Sequence, residues 1–196
     1  MLKLSARQRG AIDDNAALST APTMPAIDRY TGVLFDALDA GSLDESARTW
    51  LGAHALVQTA PLGPVGALDR IPTYRLAAGT SLPGLAPLRR LWAEPTRAAL
   101  HAVRGLVVDL RSEAYAALGP IPGGVASTYL RVVTEGPDGT ARALNHFNKK
   151  AKGELTRLLA CDRPSLASPD DLVAWGESVG IVLRAGARDG ETELVV

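Results

Sequence analysis

Glycine and proline set the scale of every element this chain can form. Nineteen glycines and 13 prolines recur between short apolar runs, so helices and strands must be brief and their connections tight. The longest stretch free of formal charge, Thr49–Leu68, is broken by Gly52, Pro61, Gly63, Pro64 and Gly66. It therefore reads as a buried segment with turns, and a membrane span is excluded there. With 46% apolar and 21% charged residues in 196, the chain has the material for a core and is not disordered by composition. The aromatic complement of three Trp, four Tyr and two Phe makes that core mainly aliphatic.

Periodicity and capping signals then divide the chain. A first helix is expected from a Ser5 cap to about residue 18, a second over about 30–39, and a third over 43–52 behind a Ser42/Glu45 capping box. AHALVQ at 53–58 reads as a strand, APLGPVGA at 60–67 as a Pro/Gly hairpin, and IPTYRL at 71–76 as extended chain. A helix over 87–103 carries Pro95, which should kink or split it. LVVDL reads as a buried strand leading into the helical EAYAAL. VASTYLRVV and TARALNHF flank EGPDG as a β-hairpin, Asn148 can cap the helix KKAKGELTRLLA, and Ser168 with Pro169 and Asp171 opens the last helix. IVLRA and ETELVV close the chain as a second hairpin around GARDG. Helices and strands intermix without a βαβ repeat, which predicts an α+β fold with helices around a mixed sheet, in one domain over 1–196.

The formal charge is zero, with 21 Lys+Arg against 21 Asp+Glu, yet the balance hides a segregation. Between Arg89 and Arg157 basic residues outnumber acidic ones, and from Asp162 onward the order reverses. Lys149, Lys150 and Lys152 open one helix, with Arg157 two turns on. Three ammonium groups at the positive end of a helix dipole are locally unfavourable by a few tenths of a kcal/mol each. That pattern fits a phosphate site made with the free amides of the first turn, or equally a solvated basic face partly answered by Glu154. Arg111 and Ser112, where a strand passes into a helix, could form a second anion site, although simple N-capping by Ser112 is the commoner use. Arg70, Tyr74 and Arg75 form a third polar cluster with Asp69.

One cysteine, Cys161, excludes an internal disulfide and points to the cytoplasm. His54, His101 and His146 have no zinc spacing, and Asp36, Asp39, Asp44 and Glu45 fit no binding loop, so no metal or cofactor is expected. The first nine residues carry charges and no apolar run, so no signal peptide is expected.

Four strings, DRYTGVLFDALDA (28–40), LDRIPTYRL (68–76), LVVDLRSEAY (106–115) and HFNKKAKGEL (146–155), resemble in this order and spacing the peroxide stress protein YaaA family. The resemblance implies a cytoplasmic bacterial protein of the oxidative stress response that binds DNA. It also implies an α+β fold with a helix-hairpin-helix element, which would fall on residues 52–70. Family members usually begin with a strand ending in a P-P-S-x-x-K segment, which does not precede Met1 here, so the chain is similar to the family's C-terminal portion. The family's Arg-Pro pair before Leu68-Asp69 is replaced by Gly66-Ala67.

Two functions are therefore expected. The first is sequence-independent DNA binding in a basic cleft by Lys149, Lys150, Lys152 and Arg157 with Arg70, Arg75, Arg111 and Ser112. The second is an enzyme or binding protein for a nucleotide, nucleobase or other phosphorylated small molecule, with a pocket drawn from Asp28, Tyr30, Asp69, Tyr74, Tyr115 and His146. No membrane partner is expected. Absence of the N-terminal segment would expose apolar surface, so self-association is expected.

Overall fold

The computed structural model describes residues 10–135, 141–143 and 147–196, and for 135, 141–143 and 147 the backbone only. It divides into two compact units, each assembled from non-consecutive segments. Unit 1 comprises residues up to Tyr30, Thr49–Ala99 and Arg111–Pro120, and unit 2 comprises Thr31–Arg48, Leu100–Leu110 and Ile121–Val196.

Unit 1 holds α1 (Gly10–Ala16), β1 (Thr23–Pro25), α2 (Ala26–Arg29) and most of α4 (Glu45–His54). It continues with β2 (Leu56–Thr59), β3 (Gly63–Gly66), β4 (Arg70–Pro72), most of α5 (Leu88–His101) and α6 (Glu113–Ala116). Its strands form two antiparallel ribbons, β1 with β4 and β2 with β3. The β2–β3 ribbon turns back where the Pro/Gly spacing predicts. Gly63 permits the turn with φ +72°, and a Cβ there would lie 2.5 Å from the Trp92 ring, which donates from Nε1 to the Ala60 carbonyl at 2.7 Å. Ala60, Leu88 and Leu118 form the apolar centre against which Leu76, Ala78, Trp92 and Tyr115 pack. Residues 52–70 are thus the end of α4, a β-ribbon and a turn, and β4 follows. This is a different local structure from the helix-hairpin-helix that the resemblance implies for that segment.

Unit 2 holds α3 (Val33–Leu38), a 3-10 turn (Ala40–Ser42), β5 (Val107–Asp109), β6 (Ser127–Glu135), β7 (Ala141–Ala143), α7 (Phe147–Asp162), α8 (Pro169–Ser178), β8 (Val182–Ala185) and β9 (Glu191–Val195). Its sheet runs β5-β6-β9-β8, with β7 also paired to β6. The β5–β6 and β6–β9 pairs are parallel, and β6–β7 and β8–β9 are the two antiparallel hairpins read from the sequence. The protein is therefore an α+β protein with a mixed sheet. Thr128, Leu130, Val132, Thr192, Leu194 and Leu183 share one buried face of the sheet by alternation and register, with Thr128 and Thr192 hydroxyls 2.7 Å apart. Asp109, Tyr129, Arg131, Glu191 and Glu193 share the other.

Two capping expectations, and the split at Pro95, are corrected. Asp44, not Ser42, caps α4, because its carboxylate accepts from the Ala47 amide at 2.7 Å and the Ser46 hydroxyl at 2.8 Å while Ser42 lies in the 3-10 turn. Asn148 lies inside α7, with its Oδ1 buried and unpartnered, and does not cap it. Pro95 does not split α5, which is continuous from Leu88 to His101. The Ser168/Asp171 box with Pro169 opens α8 as predicted.

Candidate functional site

Sequence spacing assigns Lys149, Lys150, Lys152 and Arg157 to one basic surface, but the structure gives them three different environments. Lys149 and Lys150 are exposed in the first turn of α7, and Lys150 reaches Glu154 at 3.2 Å. Arg157 donates to the carbonyls of Leu38 and Asp39, both at 3.0 Å, so it satisfies the C-terminal end of α3. Lys152 departs furthest from the expectation. Its side chain is buried, with 4% of the residue exposed, and Nζ lies 5.3 Å from the centroid of the Tyr129 ring.

The fold assembles a polar cluster around that lysine. Asp109, 7% exposed, ends β5, and Tyr129 is its register partner on β6. Two residues on, Arg131 also lies over the Tyr129 ring at 5.3 Å and donates from Nε to Glu191 at 2.6 Å. Glu193 pairs with Arg184 at 2.9 Å on the same face. Burial pushes the Lys152 amine down to about 8, Arg131 pushes the same way, and Asp109 opposes them. Bonding to Arg131 holds the Glu191 carboxyl below its usual range. Asp109, Tyr129, Arg131 and Glu191 were not singled out by sequence reasoning. The available signal was an acidic residue ending an apolar strand, but only the register of β5, β6 and β9 shows its company.

Unit 1 gathers a second cluster from three of the motifs. Tyr30 and Tyr74 touch hydroxyl to hydroxyl, with ring centroids 6.2 Å apart at 85°. Thr59, fully buried, hydrogen-bonds Tyr74. Tyr115 lies close to both phenols and bonds to the Ala78 backbone. Burial raises all three phenols above their ordinary value, and for Tyr30 the bond to Tyr74 adds to it. They are neutral hydrogen-bonding groups at physiological pH, not phenolate nucleophiles.

The remaining predicted residues have mostly local partners. Arg70 bonds the Thr23 hydroxyl at 3.3 Å and its carbonyl. Arg111 donates to Gly119 at 3.0 Å and approaches Gln58 at 3.4 Å. The Asp69 carboxylate accepts from the Gly66 amide at 2.7 Å and closes the turn. Arg75 is exposed, with its backbone clasped by Asn15. Ser112 stands at the N-cap of α6 without a side-chain cap bond, and Asp28 lies in α2 beside Tyr30. His146 lies outside the described residues. Among the described residues no group of three or more His, Cys, Asp or Glu could hold a metal, and no helix is long and apolar enough to cross a membrane.

Comparison with known proteins agrees with the four motifs. The family model described as peroxide stress protein YaaA matches residues 1–180. A UPF0246 protein of Corynebacterium glutamicum is 38% identical over 200 residues, spanning 100% of this chain and 79% of that protein. A UPF0246 protein of Streptomyces coelicolor is 40% identical over 190 residues, spanning 95% of this chain and 72% of that protein. Lys152 and Asp109, both buried in unit 2, fall within the matched span, as do the three tyrosines of unit 1. The chain belongs to the peroxide stress protein YaaA family.

Proposed function

We propose that the protein serves the peroxide stress response in the cytoplasm by binding DNA through phosphate contacts, without reading bases. The observation that supports this is the exposed pair Lys149 and Lys150 in the first turn of α7, two adjacent ammonium groups open to a phosphate backbone. Lys152 and Arg157 have other work in the fold, so the contact set is smaller than spacing alone suggests. The test is duplex affinity measured across salt for the wild type and Lys149→Ala/Lys150→Ala. The variant is expected to bind more weakly, with a log–log salt slope smaller by about 2, one for each lost phosphate contact. Equal affinity and slope would exclude these lysines as DNA contacts. Lys152 is left intact in this variant because alanine at a buried position would confound binding with a cavity.

The tyrosine cluster favours a second reading, in which unit 1 takes a nucleotide or nucleobase. Three neutral phenols from separate motifs converge beside Thr59, supplying ring faces and hydrogen bonds of the kind such a ligand needs. In a thermal-shift series of nucleotides and free bases, one compound is expected to stabilise saturably, with the shift reduced in Tyr74→Phe. No shift from any compound removes this reading.

A further inference from the structure

The chain leading into β1 is held to unit 1 unevenly. From Pro22 onward it is anchored: β1 pairs with β4, Arg70 bonds the Thr23 hydroxyl and carbonyl, and Arg29 donates to the Pro22 carbonyl at 3.2 Å. Before Pro22 that hold is gone. Of the seven residues of α1 only Ala11 is buried, and Ile12 is 57% exposed. The turn that follows α1 bonds locally, from the amides of Ala17, Thr20 and Ala21 to the carbonyls of Asp13 and Ala17.

Among the described residues, one side chain ties this stretch to the rest of the unit by hydrogen bonds. Asn15 donates from Nδ2 to the Arg75 carbonyl at 3.0 Å and accepts at Oδ1 from the Arg75 amide at 2.8 Å. A carboxamide offers a donor and an acceptor side by side, so here it bonds Arg75 as an antiparallel strand residue would. The β1–β4 register sets Thr23 opposite Pro72 and Pro25 opposite Arg70, which would put Thr20 opposite Arg75 if the ladder went on. Residue 20 lies in the turn instead, and Asn15 reaches that position from the helix. Two hydrogen bonds and one buried alanine belong to the low-stability end of a fold, where opening does not wait for the core to unfold.

We propose that α1 is a hinged strap, with Asn15 as its latch and residues 17–21 as its hinge. Opening frees the N–H and C=O of Arg75, the residue that follows Tyr74. The latch thereby sets how firmly Tyr74 is held against Tyr30 and Thr59. As regulation of a nucleotide or nucleobase site the strap rests on the second reading above, but its own test needs no ligand.

The test is native-state hydrogen exchange of the whole chain, read at single amides at low urea. The Arg75 amide is expected to exchange with little dependence on urea, because opening the strap exposes little surface, whereas amides of the β1–β4 ladder follow a larger unfolding. Asn15→Ala should speed Arg75 exchange about tenfold, the loss of roughly one net hydrogen bond, and leave the ladder unchanged. Alanine forms helix better than asparagine, so this change is not the loss of α1 itself. Asn15→Asp keeps the acceptor and loses the donor, and its rate should fall between the two. Acetylation by N-acetylimidazole, mapped by mass, reads the consequence: Tyr74 should react several-fold faster in Asn15→Ala, with Tyr129 of unit 2 as the unchanged reference. Arg75 exchange unaltered by Asn15→Ala overturns the latch, and Arg75 exchange that tracks the β1–β4 ladder in urea overturns the strap. Faster Arg75 exchange with Tyr74 acetylation unchanged overturns the link to the tyrosine cluster. A thermal-shift series without a hit overturns the nucleotide reading alone, since these measurements are made on the free protein.

Discussion

Gly153→Val is expected to destabilise unit 2 by about 3 kcal/mol or more in urea unfolding, among the larger losses a single substitution can cause. A Cβ at this position would lie 2.2 Å from the Leu34 carbonyl oxygen and 2.9 Å from the Ala37 Cβ. The first of these is backbone, so it cannot swing aside as a side chain would. α3 and α7, which pack against each other there, would have to separate. That movement also pulls Arg157 from the carbonyls of Leu38 and Asp39. Glycine within a 16-residue helix costs about 1 kcal/mol in propensity relative to alanine. The close approach of α3 explains why that cost is tolerated at Gly153. Gly10→Ala is the matched control, since a Cβ at Gly10 meets nothing within 4 Å. It is expected to leave stability unchanged or slightly raised. Gly153→Val as stable as Gly10→Ala would show that α3 does not pack closely enough on Gly153 to exclude a side chain.

The second large effect is in pH. Lys152 titrates at about 8 in the folded protein against 10.5 for the free side chain. Below pH 8 the lysine is charged in both states, and the folded state carries the full burden of a buried ammonium. Between pH 8 and 10.5 the folded protein releases a proton that the unfolded chain retains, so stability rises with pH across this window. At about 1.4 kcal/mol per pH unit of displacement, the whole gain is about 3 kcal/mol. The raised phenols of Tyr30, Tyr74 and Tyr115 act oppositely, because their stabilisation is lost as pH rises beyond the ordinary tyrosine value of 10. The measurement is therefore a difference: unfolding free energy of the wild type minus that of Lys152→Met between pH 7 and 10. Titrations common to both proteins cancel in it. The difference should move in favour of the wild type as pH rises, and parallel profiles would show that Lys152 is not desolvated.

Much of the local structure was legible from residues a few positions apart. Ser168, Pro169 and Asp171 announce the start of α8 because a capping box closes within one turn. The hairpins β6–β7 and β8–β9 follow from alternating segments around glycine-containing turns. Where two local signals competed, the reading failed. Ser42 and Asp44 can both cap, and the 3-10 turn at Ala40–Ser42 takes Ser42 out of contention. Asn148 resembles a cap, but α7 begins one residue earlier, at Phe147. At Pro95 the expectation is a kink or a split, and the split does not occur: α5 continues through it.

By itself the sequence determined that this would be an α+β protein of short elements, that α7 would open with lysines, and that four motifs place it in its family. These are properties of nearest neighbours, turn chemistry and residue order. Tertiary structure alone decided which lysine is solvated and which is buried. Lys149, Lys150 and Lys152 differ little in sequence context, and helical spacing cannot say where the sheet lies. Register does: β5, β6 and β9 bring Asp109, Tyr129 and Glu191 into one row. Lys152 projects over that row and loses its water, while its neighbours on the same helix keep theirs.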